Sequence, residues 1–108
     1  MILTTTDGVD GMPVAQYLGI VSGDTVLGTN IFADFFASIR DIVGGRSGSY
    51  EDKLQAAKDT ALAEMAARAK ALGADAVIGV DLDYHSIGGD NKTLLMVVAN
   101  GTAVKLGN

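Results

Sequence analysis

The sequence predicts an α+β domain in the element order β-β-α-α-β-β, and three observations predict it. Asn30 to Glu51 reads as an amphipathic helix, a glycine-rich break and the capped start of a second helix. Apolar, β-branched runs precede that centre, and a long alternating run follows it. Grouped strands around grouped helices are the pattern of the α+β class.

In chain order, Ile2 to Thr6 is β-branched and ends at Asp7-Gly8, which reads as a short strand and a turn. Pro13 suits the start of the next strand, Val14 to Val21, where its missing N–H is tolerated. Neither face of that strand is clearly polar, so it reads as covered on both sides. Ser22-Gly23-Asp24 signals a turn or bulge, after which Thr25 to Leu27 either continues the strand or pairs back on it.

Ile31, Phe32, Phe35, Phe36, Ile39, Ile42 and Val43 recur at helical spacing behind Asn30, a good N-cap, and before Gly44, a good terminator. All three phenylalanines lie in this stripe and read as core. The second helix runs from about Tyr50 to Leu72. Ser49 and Asp52 form a capping pair, and Gly73 is the stop. Its inner face, Leu54, Ala57, Ala61, Met65, Ala69 and Leu72, is mostly small, which lets a helix lie close on a sheet.

Asp75 to Ile87 then alternates. Ala76, Ile78, Val80, Leu82 and Tyr84 are expected on one face, with Asp75, Val77, Gly79, Asp81, Asp83 and His85 on the other. Gly88-Gly89-Asp90-Asn91 is a hairpin turn, and Lys92 to Leu106 returns as a strand. Asn100-Gly101 interrupts that strand as either a second hairpin or a bulge.

Composition bounds the function. The 108 residues suit one domain, 1–108, and 48% hydrophobic against 19% charged residues excludes disorder. A domain this small buries only about two thirds of its surface, so uncovered apolar strands need a partner. A net charge of -5, with dispersed basic residues, argues against nucleic acid and anionic membranes as partners. The longest apolar run, Leu94 to Ala99, is far below the roughly 18 residues of a membrane span. The start lacks the features of a signal peptide, so a cytoplasmic protein is expected. Without cysteine, disulfides, thiolate nucleophiles and thiolate metal sites are excluded.

Two stretches carry candidate chemistry. Gly45, Arg46, Ser47, Gly48 and Ser49 lead into a helix N-terminus, where free N–H groups and Arg46 could hold an anion. The plainer reading is a connector between two helices, since neither phosphate-loop motif is matched. Asp81, Asp83 and His85 share a strand face and are the metal candidates. Alternate residues stand roughly 6.6 Å apart along a strand, so a neighbouring chain would have to complete the shell. The plainer reading there is a solvated polar face. Carboxylates select hard divalent cations or, with imidazole, zinc. Nucleophilic catalysis would depend on His85, the one histidine, and no Gly-x-Ser-x-Gly elbow is present.

Four longer strings extend the reading. They are Leu27-Gly28-Thr29-Asn30-Ile31-Phe32-Ala33-Asp34-Phe35-Phe36, Ile39-Arg40-Asp41-Ile42-Val43-Gly44-Gly45-Arg46-Ser47-Gly48, Ala71-Leu72-Gly73-Ala74-Asp75-Ala76-Val77-Ile78-Gly79-Val80-Asp81 and Gly101-Thr102-Ala103-Val104. Through them the chain resembles the YbjQ-like family, bacterial proteins that carry a heavy-metal-binding label. The resemblance implies a small α+β subunit with an antiparallel sheet, here packed against the two helices read above, in a ring-shaped homo-oligomer that is pentameric in relatives. It also implies one long final strand, with a bulge at Asn100-Gly101, and it brings no catalytic residues. The expectation is a non-enzymatic homo-oligomeric module binding a divalent metal ion between subunits. The alternatives are a scaffold ring that recruits a protein partner and an anion binder at residues 44–49.

Overall fold

The computed structural model describes residues 1–27, 48–89 and 92–107. Strands β1 (Ile2–Leu3) and β2 (Val14–Leu27) are followed by helix α1 (Gly48–Ala71) and strands β3 (Ala76–Gly89) and β4 (Lys92–Leu106). The four strands form one sheet in the order β1-β3-β4-β2. β4 is antiparallel to both β3 and β2, whereas β1 is parallel to β3.

The expected antiparallel sheet on two helices, in the order β-β-α-α-β-β, is thereby corrected. The sheet is mixed, and among the described residues it carries one helix. β1 meets β3 across the long intervening chain, which permits the parallel pairing that a tight hairpin forbids. The helix expected behind Asn30 lies outside the described residues.

Alanine spacing seats α1 on the sheet. Ala57, Ala61, Met65 and Ala69 recur every fourth residue, and all are buried. They pack on Val21, Val77, Val97, Ala99 and Ala103. Gly23 lets the helix lie this close: a Cβ there would run into the Ala61 carbonyl and stand 2.6 Å from the Met65 nitrogen. β2 therefore continues straight through Ser22-Gly23-Asp24, where a turn or bulge was expected. The Arg68 guanidinium donates to the Ser22 carbonyl at 2.8 Å and pairs with Glu64 at 2.7 Å, fixing the helix along β2.

Gly73 ends the helix as expected. With φ +85° it donates to the Lys70 carbonyl at 2.9 Å, while Ala74 donates to Ala69 at 3.1 Å. These two bonds are the Schellman pair.

β3 departs from simple alternation. One extra residue stands between Ile78 and Asp81, opposite β4, and Gly79 there has φ +61°. The bulge reverses which face each side chain takes. Ala76 and Ile78 join Val104 in a small cluster beneath Val9, whereas Val80, Leu82 and Tyr84 lie on the helix side. The single apolar face expected from Ala76 to Tyr84 is thus split in two. β4 runs unbroken through Asn100 and Gly101, so the bulge of this region falls on β3. The freed Gly79 and Val80 amides donate to the carbonyls of Thr6 and Thr4 at 2.8 and 3.0 Å. The pairings Gly88–Thr93 and Gly89–Lys92 bear out the expected hairpin.

β2 is not covered on both sides within one chain. Tyr17 is 70% exposed and Ile20 84% exposed. Apolar groups left so open on a strand are a surface that another molecule can bury.

Candidate functional site

Asp81, Asp83 and His85 follow the β3 bulge, which sends them to the face away from α1. Their partners on β4 are Asn100, Val98 and Met96, and beyond these on β2 stand Ser22, Asp24 and Val26. The outer face thus carries an acidic row, with Asp83 level with Asp24 across Val98. All three β3 candidates are exposed.

The Asp81 and Asp83 carboxyls share a hydrogen bond. That bond raises the Asp81 pKa above its ordinary 3.8, because it needs a proton, and the Asp83 charge raises it further. Folded Asp81 holds its proton more tightly than unfolded Asp81. Stability from this group is therefore present at acid pH and lost as pH rises through the raised pKa. Asp81→Asn is expected to remove that fall, giving thermal unfolding less dependent on pH between the acid range and neutrality. A variant whose pH profile overlays the parent would remove the carboxyl pair from the account.

Among the described residues, no three histidine, cysteine or acidic side chains gather where one ion could hold them. Asp81 and Asp83 come together, and His85 stands farther along the strand. No cysteine is present, and soft heavy metals prefer sulfur. The donors of one chain therefore do not fit a heavy-metal centre. They supply two carboxylates of the kind that hard cations take.

Of the anion candidates, Gly45, Arg46 and Ser47 lie outside the described residues. Gly48 and Ser49 fall inside the first turn of α1, which begins earlier than the expected Tyr50. Glu51 stands in that same turn, where a carboxylate complements the helix dipole.

Sequence reasoning missed Asp24, because Ser22-Gly23-Asp24 resembled a turn. It also missed the helix-side face of β3, which α1 covers only in part among the described residues. α1 lies mainly over β2 and β4. Two clefts open beside it: one of about 320 Å³ between Leu54, Lys58 and Tyr84, and one of about 210 Å³ lined by Leu62, Val80 and Leu82. Gly79 within an alternating strand was the available signal for the bulge that builds this face.

Comparison with known proteins places the fold. The crystal structure of a protein of unknown function from Pediococcus pentosaceus, assigned to the DUF74 family, superposes with a TM-score of 0.65 at 18% identity. The match covers 99% of this chain and 98% of that one. No described helix is long and apolar enough to cross a membrane. A family sequence model described as "Putative heavy-metal-binding" matches residues 1–107, and the chain belongs to that family, YbjQ.

Proposed function

We propose that this protein is a non-enzymatic, homo-oligomeric binding module whose ligand is a divalent metal ion held at sites completed by a neighbouring copy. The observation that carries the reading is the placement of the Asp81–Asp83 pair. It stands exposed on the part of β3 beyond the reach of β1, where another chain can approach. At neutral pH two adjacent carboxylates repel, and a divalent cation relieves that repulsion. His85 is two residues farther along the same face, and Asp24 stands on the far strand of the same row. Both are within the vocabulary of a hard or borderline cation. Five copies is the number suggested by the resemblance.

The test is native mass spectrometry of untagged protein, with elemental analysis of the same sample. The reading expects an oligomer carrying stoichiometric divalent metal, reduced several-fold by His85→Ala or by Asp81→Asn with Asp83→Asn. An oligomer without metal would leave a scaffold that recruits a protein partner. A monomer would end the homo-oligomeric reading.

A further inference from the structure

Two stripes of side chains frame a groove on the helix side of the sheet. On α1, Leu54, Lys58 and Leu62 follow at four-residue steps and so share a face, over about 12 Å of helix. On β3, Val80, Leu82 and Tyr84 follow at two-residue steps, over about 13 Å of strand. The stripes run in opposite directions: Leu54 shares a cleft with Tyr84, and Leu62 shares one with Val80 and Leu82. Their matching lengths give the groove a wall on each side along its whole run. Leu3 and Thr5 flank it at the Val80 end.

The two clefts, of about 320 and 210 Å³, meet at Lys58, which lines both. Together they reach the size of a small-molecule site, roughly 300–1,000 Å³, mostly apolar with a few polar groups that fix orientation. Lys58 is half-buried, and among the described residues it takes part in no hydrogen bond or ion pair. Its aliphatic stem extends the apolar wall between Leu54 and Leu62, while its ammonium is a charge without a counterpart.

Charge decides what would fit. Glu51 is the one acid among the described lining residues, and the whole chain carries a net charge of -5. A doubly charged anion would be repelled there, whereas a single negative charge is matched by the single ammonium. A lysine holds such a charge as a point, without the fork that arginine offers to larger oxyanions. The groove is also separate from the acidic row. Val80, Leu82 and Tyr84 alternate with Asp81, Asp83 and His85, which take the opposite face.

We infer that the groove between α1 and β3 binds an acyl-chain monocarboxylate, with Lys58 holding the carboxylate while Leu54, Leu62, Leu82 and Tyr84 enclose the chain.

Calorimetric titration of the full chain with decanoate, below its micelle concentration, tests the assignment. The parent should bind decanoate saturably, one molecule per chain. Lys58→Gln should weaken that binding about tenfold or more, the effect of losing a hydrogen bond to a charged group. Decanol, which has the chain without the charge, should bind the parent and Lys58→Gln alike. Lys70→Gln removes an exposed lysine in the last turn of the same helix, away from the groove, and should bind decanoate as the parent does. Tyr84→Ser should weaken both probes, because it opens one wall. None of the three sites is fully buried, so circular dichroism should show every variant folded. The assignment is overturned if the parent shows no saturable binding of decanoate, or if Lys58→Gln binds it as tightly as the parent. An equal loss in Lys70→Gln would reduce the effect to net charge, and a loss of decanol binding in Lys58→Gln would show that the lysine shapes the groove without holding the carboxylate.

Discussion

Replacing Gly23 with alanine is expected to be more destabilising than any other single added methyl group among the described glycines. Gly23 lies beneath the middle of α1, and the new Cβ would collide with the Ala61 carbonyl and the Met65 nitrogen. Both are main-chain atoms within a hydrogen-bonded turn, so no rotamer change relieves the overlap. The helix must lift from the sheet, which separates Ala57, Ala61, Met65 and Ala69 from their strand partners. We expect a cost of about 3 kcal/mol or more, the upper range of overpacking. That is a large part of the 5–15 kcal/mol that holds a typical domain together. Gly101→Ala is the informative comparison, because the first atom met there is a methyl of the Val77 side chain, which can shift. Urea unfolding of both variants checks the ranking. A Gly23→Ala midpoint equal to the parent's would mean that α1 does not rest where it is described.

Met65→Ala is the second large effect. Met65 is fully buried and is the one long side chain among the buried residues of α1. Ala61 and Ala69, one turn away on either side, have no atoms to swing into the space it leaves, so the cavity should persist. Large-to-small changes of this kind cost about 2–5 kcal/mol, and the upper half is expected here. For a chain of this size that lowers the unfolding temperature by roughly 15–20 °C. Met65→Leu keeps the volume and should cost less than about 1.5 kcal/mol. Calorimetry of the pair separates lost volume from lost sulfur. A small effect in both would show that the site collapses freely.

The features legible in the sequence are those set by neighbours along the chain. Gly73 announced the helix stop because only the residues around it decide the Schellman bonds. The alanines announced the buried face because a four-residue step is a local property of a helix. The hairpin at Gly88 to Asn91 was equally local. What escaped was set by distant packing. Gly23 looked like a turn residue, yet its missing side chain is required by a helix some forty residues later. The β3 faces could not be assigned without knowing that one residue at Gly79–Val80 stands out of register, so Ala76, Ile78, Val80, Leu82 and Tyr84 were read together on one face. Asp81, Asp83 and His85 nevertheless share a face as expected, because all three lie after the bulge. Their neighbour Asp24 became visible only when β4 joined the two strands.

The thinnest pairing in the sheet has a consequence in time. β3 and β4 pair as a hairpin from Gly89 and Lys92 onward, and hairpins close within about 1–10 μs. β1 contributes two paired residues, and Ile2 meets Ala76 only after 74 positions of chain are drawn into a loop. Docked first, β1 would have to close a loop of that length at a cost of about 4 kcal/mol of chain entropy, whereas once β2 and β3 have paired with β4 only the short link between Leu3 and Val14 has to close. The four long elements can settle without that closure, since β4 pairs with both β2 and β3 and α1 rests chiefly on β2 and β4. The N-terminal strand is therefore a late arrival in folding and an early departure in unfolding. Until it docks, the amides of Gly79 and Val80 are left to water.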